Sequence, residues 1–175
     1  TKNLNVWLNQ NVLTSYLNFD SWKECQVDEV DFTGKEVVVG IDMSKTTDLC
    51  GVSILAKDTY GNVLVKSKAF LPSETVAKKE MSDKIHYSSY AQFHPEWVSI
   101  IEGKFVNQVE IENYVRNIED KYKCKIKAIA FDSWNAMHLM SSLSSDYEVV
   151  DVKMTYKTFS PSIKKFRELV YDNVV

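Results

Sequence analysis

Two aspartates close apolar runs in this chain, and they are the residues best placed for chemistry. Val37-Val38-Val39-Gly40-Ile41 stops at Asp42, and the run Ile126–Phe131 stops at Asp132. A carboxylate at the lip of a buried strand is a hard oxygen donor on a rigid platform, suited to a divalent cation such as Mg²⁺ or Mn²⁺. Taken alone, Asp42 reads equally well as a turn residue making an Asx-type bond. The second acid tips the balance. Two carboxylates brought side by side repel each other unless a cation lies between them.

Other residues near these acids have a weaker claim, and each has a plainer role beside it. Asp48, in the turn after Asp42, can reach a cation directly or through water, and it can equally cap the turn with Thr46 and Thr47. Ser44 and Lys45 suit a phosphate contact, although a lone turn lysine is more often simply solvated. Ser133 and Asn135 fit a helix start as well as a nucleic-acid contact. His138 falls one turn into the helix expected after Asp132, where it can just as well face solvent. Glu102 ends a short extended piece, and His86 and His94 show no ligand spacing. Lys153, Lys157, Lys164, Lys165 and Arg167 put five cations within fifteen residues. That suits a DNA backbone, but an ordinary amphipathic helix exposes such charges too.

The elements that must position these residues follow from periodicity. β-branched runs predict strands over Glu36–Ile41, Gly51–Lys57 and Val63–Leu71, with Tyr60-Gly61-Asn62 as a hairpin turn. Pro72 ends the third strand. A polar segment with a short helical possibility after Ser73 follows, then an aromatic-rich irregular stretch and a short extended piece, Val98–Ile101. Ile111, Tyr114, Val115, Ile118 and Tyr122 form one apolar stripe of a helix, opened by Asn107 and Glu110 in capping-box form. After the strand ending at Phe131 come a helix with Met137, Met140 and Leu143 inward, a strand within Tyr147–Met154, and a last helix opened by Ser160-Pro161. Residues 1–35 read as a linker that packs its tryptophans on the domain, with Ser21 capping a short helix around Trp22. The domain proper is 36–175.

Three antiparallel strands, a helical crossover and a parallel fourth strand match the layout of ribonuclease H-like folds. The expected class is therefore α/β, a mixed central sheet flanked by helices. With a right-handed crossover, the first and fourth strands lie side by side and both acids emerge at one end.

Composition narrows the classes. The chain has 175 residues, is 45% hydrophobic and 12% aromatic, and can bury a substantial core. A net charge of −3 and a pI near 5.6 announce no global basic field. They leave room for a nuclease whose metal ions bring positive charge locally. Three widely spaced cysteines without a CxxC pair argue against a zinc site and for reduced thiols. No stretch has the length and apolarity of a membrane span. The start at Thr1 and the end at Val174-Val175 read as those of an excised piece.

Several stretches resemble the large terminase subunit of tailed bacteriophages, in its C-terminal nuclease domain and the segment leading into it. They are N-L-N-V-W at 3–7, Trp22, G-I-D-M-S-K-T-T-D-L at 40–49, I-E-G-K-F-V at 101–106 and I-A-F-D-S-W-N-A at 129–136. Each alone is weak, but in this order they span nearly the whole chain.

The resemblance implies a ribonuclease H-like endonuclease that uses acidic residues and Mg²⁺ or Mn²⁺ to cut concatemeric double-stranded DNA during packaging. Asp42 matches the family's first metal-binding aspartate and Asp132 its second. Two cations about 3.5–4 Å apart, one on each side of the scissile phosphate, are the relevant chemistry. Asp42, on the central strand, takes the bridging position. The implied partners are an ATPase domain ahead of the linker, the portal and the small terminase subunit, in the cytoplasm of the infected host. The family's third carboxylate has no convincing match here: Asp172 is the one candidate in the last helix, and the expectation is that the ligand lies beyond Val175. A resolvase- or transposase-like nuclease, or a non-catalytic docking fragment, are the competing readings.

Overall fold

The computed structural model describes residues 16–44, 48–132, 136–153 and 155–175. Six strands form one sheet: β1 (Glu36–Asp42), β2 (Cys50–Lys57), β3 (Val63–Pro72), β4 (Val98–Ile101), β5 (Lys125–Phe131) and β6 (Val149–Asp151). Their order across the sheet is β4-β3-β2-β1-β5-β6. The first three strands pair antiparallel, and β5 lies parallel beside β1, as the sequence pattern requires. Two short parallel strands extend the sheet, β4 beside β3 and β6 beside β5.

Alternation fixes which face is buried. Val37, Val39 and Ile41 of β1 point with Cys50, Val52 and Ile54 of β2 and with Ile129 and Phe131 of β5 into the core. Three helices cover that face: α4 (Gln108–Arg116), α5 (Ile118–Tyr122) and α6 (Met137–Leu143), through Ile111, Val115, Ile118, Leu139 and Leu143. The expected single helix is interrupted at Asn117, yet its apolar stripe continues across the break. Asn107 caps α4 by accepting the Val109 N–H at 3.0 Å. Arg116 clamps α4 to α6, donating to Glu112, Asp146 and the Ser142 carbonyl.

A smaller cluster sits at the other edge. Between β3 and β4 a 3₁₀ turn (Ser73–Thr75), α2 (Val76–Asp83) and α3 (Tyr87–Phe93) gather Leu71, Val76, Tyr87 and Val98. The stretch expected to be irregular is thus partly helical.

The remaining helices are α1 (Phe19–Glu24) and α7 (Tyr156–Tyr171), which pack together through Trp22 and Phe166, with ring centroids 5.9 Å apart. Both start earlier than expected. Asn18, not Ser21, caps α1 by accepting the Asp20 N–H. Thr155 caps α7, which leaves Pro161 inside the helix and not at its first position. A proline there removes one backbone donor, which is tolerable where the surrounding turn is exposed. In α6 Leu139 and Leu143 are buried and Met140 packs half-buried against the core, whereas Met137 is exposed.

Candidate functional site

Asp42 ends β1, and Asp132 directly follows β5. The last parallel pair is Ile41 with Phe131, so the two acids are the next residues on adjacent strands, whose backbones run about 4.8 Å apart. Asp42 is exposed and Asp132 half-buried. Among the described residues no lysine or arginine forms an ion pair with Asp42. Small residues surround it: Gly51 is its partner on β2, and Gly40, two residues back on the same face, pairs with Ala130. Among the described residues, nothing lies within 4 Å of a methyl group built on Gly40 or Gly51.

The turn after β1 is pinned at both described ends. At its start the Ser44 N–H donates to the Cys50 Sγ at 3.4 Å. Burial, with a smaller contribution from the Asp42 charge, pushes the Cys50 thiol up and keeps it neutral. At its end Asp48 accepts from the Lys79 Nζ at 2.8 Å, and Lys79 also reaches Asp83 at 3.2 Å. Thr46, Thr47 and Lys45 lie outside the described residues, as do Ser133 and Asn135.

The other candidates are spread out. Lys153 follows β6, and Lys157 is in the first turn of α7, both at the end of the sheet that carries the acids. Lys164, Lys165 and Arg167 lie further along α7, up to roughly 15 Å from Lys157. Lys165 pairs with Glu168, and the Arg167 guanidinium stacks over Tyr16 and Tyr171. The five cations therefore do not form one patch beside Asp42. Glu102 directly follows β4, three strands from β1 and roughly 14 Å away across the sheet. His138 is exposed on α6.

Asp172 is at the wrong end. α7 runs from the acid end toward the far end of the sheet, where the Val63 N–H at the start of β3 donates to the Val174 carbonyl at 2.7 Å. Among the described residues no group of three or more His, Cys, Asp or Glu side chains is arranged to hold a metal ion. Asp151, which the sequence reading passed over, ends β6 in register with Phe131. It shares Phe131's side of the pleat, not that of Asp132. Its signal was the familiar one, an apolar pair ending in an acid. Lys79 was also missed, because nothing in its neighbourhood marks a partner 31 residues away.

The donor set fits a hard divalent cation: carboxylates at two adjacent strand ends. The profile of terminase large-subunit endonuclease domains matches residues 1–175. The chain belongs to that family. Among solved structures, the crystal structure of the HK97 bacteriophage large terminase matches with a TM-score of 0.79 at 17% sequence identity. The match covers 91% of this chain and 33% of that one, so the chain spans about a third of that terminase's length. At this identity the likeness shows the fold, and the sheet described above is the ribonuclease H-like one of a terminase nuclease domain. No curated protein matches the sequence. No helix among the described residues is long and apolar enough to cross a membrane.

Proposed function

We propose that this terminase nuclease domain is a Mg²⁺- or Mn²⁺-dependent endonuclease that cuts concatemeric double-stranded DNA during phage genome packaging. The observation that carries the reading is the placement of Asp42 and Asp132 one residue beyond the paired ends of adjacent parallel strands. Asp42, with neighbours on both sides in the sheet, takes the bridging position, and Asp132 binds from one side. When bound, such cations supply Lewis-acid stabilisation to the attacking and leaving oxygens of an in-line displacement. The small-residue face around Gly40 and Gly51 gives a phosphate backbone room to approach. Lys153 and Lys157 supply phosphate contacts at that end, and Lys45 fits the same role. Lys164, Lys165 and Arg167 contact DNA further from the cut. Asp48 is a secondary candidate for the metal shell.

In the full terminase, residues 1–35 lead in from an ATPase domain. The portal and the small subunit are its partners in the infected host's cytoplasm. We place the third carboxylate beyond Val175, since Asp172, the one candidate in the last helix, lies at the far end of the sheet.

Nicking of supercoiled plasmid in Mn²⁺ tests the assignment, using this chain, a version extended past Val175, and Asp42→Ala and Asp132→Ala in each. In the extended version each substitution is expected to cost about 100-fold or more. Equal cutting by Asp42→Ala would sink the catalytic assignment.

A further inference from the structure

The register of the sheet sets two rows of residues on the face of β1 that carries Asp42. The first row is Asp42, Gly51 and Ala69, with Asp132 beside Asp42 one residue beyond the last β1–β5 pair. The second row, one step back from the acids, is Ala130, Gly40, Ser53 and Ser67. Behind it the face turns apolar, with Val38, Leu55 and Val65. Across β5, β1, β2 and β3, Ser53 and Ser67 thus hold the only side-chain hydrogen-bond donors in the two rows nearest the acids. Their hydroxyl oxygens lie 2.7 Å apart, and neither has another polar partner among the described residues. Whichever of the two donates, the accepting hydroxyl keeps its own hydrogen to give, and accepting one bond strengthens the next that it donates. Ser67 is exposed and Ser53 half-buried.

We infer that the Ser53–Ser67 hydroxyl pair is a phosphate contact for the DNA strand held over Asp42 and Asp132. This rests on the nuclease reading and gives it a substrate contact. Ser53 is one strand across and two residues back from Asp42, roughly 8 Å away, and Ser67 is roughly 12 Å away. Two to four nucleotides of rise, at about 3.4 Å each along a strand, span that range. The pair therefore receives a phosphate near the scissile one, not the scissile phosphate itself. A hydroxyl donor to phosphate fixes the register of the backbone without reading sequence. Being neutral, it also brings no positive charge to compete with a cation for the two carboxylates. As a purely structural bond, a cross-strand serine pair contributes little to the sheet.

The test is binding of a short labelled DNA duplex to the 175-residue chain, followed by fluorescence anisotropy in Ca²⁺ over a series of salt concentrations, with melting temperatures alongside. Ser53→Ala combined with Ser67→Ala is expected to weaken binding about tenfold, the loss of a hydrogen bond to a charged group, with the melting temperature nearly unmoved. The slope of log affinity against log salt should stay that of the wild type, because a neutral hydroxyl displaces no counterion. Lys153→Ala should instead lower that slope by about 1. Ser67→Thr, which keeps a hydroxyl and suits a strand, should bind like the wild type. Unchanged binding in the double alanine variant overturns the inference, as does an equal loss in Ser67→Thr. A loss with a shallower salt slope overturns it too, because the substitutions would then be disturbing a charged contact. Lys153→Ala separates the two levels. If Lys153→Ala weakens binding and the serine variants do not, only the serine contact fails. If the wild type binds no duplex, the DNA reading of this face falls and the serine contact with it.

Discussion

The two hydrophobic clusters of this domain do different jobs. Among the described residues, nineteen buried side chains form the cluster that joins β1, β2 and β5 to α4, α5 and α6. At the other edge, the described residues buried with α2 and α3 are only Leu71, Val76, Tyr87 and Val98. Asp42 and Asp132 rise from strands of the first cluster, so their backbones are fixed by close packing. The turn between Asp42 and Cys50 ends against the second, where hydrogen bonds and ion pairs carry more of the load. The strands that bear the two acids are therefore held by the larger cluster, and the described end of the turn, Asp48 and Leu49, by the smaller one.

The largest expected effect lies in the first cluster. Ile129 is fully buried in β5, between the strand end that bears Asp132 and the helices. Ile129→Ala should cost about 2–5 kcal/mol of unfolding free energy, read from urea denaturation. A loss below about 1 kcal/mol would mean the core relaxes around the cavity, and the contrast with the smaller cluster would weaken.

A middle-sized effect belongs to the satellite. Tyr87→Phe keeps the ring in its cluster but removes the hydroxyl that holds Asp83. Hydrogen exchange in α2 and α3 should lose protection by roughly fivefold to tenfold, with β1 and β5 amides unchanged. Equal loss in both regions would show one cooperative unit where the structure draws two.

These two regions were unequally visible in the sequence. Asp42 and Asp132 were legible because short β-branched or apolar runs such as VVVGI and IKAIAF suit buried strands, and the acid that closes each run then sits at a strand end. The antiparallel trio followed from Tyr60-Gly61-Asn62, where Gly61 takes a φ of +92° that other residues avoid. The satellite was not legible. Its helices bury few residues, so α2 carries Val76 inward and little else, and the aromatic residues of Tyr87–Phe93 suggest strand or loop as readily as helix. The opening of α7 was misplaced because Ser160-Pro161 imitates a helix start, while the cap is made by Thr155. The Lys79–Asp48 pair has no sequence signal at all: any of the chain's lysines could have found that carboxylate, and only the packing of α2 decides which one does.

The smallest effect is one of pH, and its sign follows from hydrogen bonding. The Tyr87 hydroxyl, then Ser82 and Lys79, hold the Asp83 carboxyl below its usual value, and burial with the Asp83 contact pushes the Tyr87 phenol up to about 12. Glu80 is lowered too, chiefly because it accepts the Ser88 N–H. A carboxylate whose folded value is depressed contributes stability above its unfolded value, about 3.9 for Asp and 4.3 for Glu. It loses that contribution as pH falls through the folded value. Glu112 and Asp146, lowered by Ser142 and Arg116 and by Arg116 and Ser145 respectively, obey the same sign in the α4–α6 clamp. The difference lies in what remains after protonation: among the described residues, nineteen are buried on one side and four on the other. Acidification from pH 6 toward pH 3 should therefore release α2 and α3 before β1 and β5, measured as exchange protection corrected for the intrinsic pH dependence of exchange. Tyr87→Phe should flatten that response in α2 and α3, because Asp83 then titrates closer to its unfolded value. Glu112→Gln should leave it intact and change only the clamp. A satellite that keeps its protection down to pH 3 would show that Leu71, Val76, Tyr87 and Val98 suffice without their polar frame.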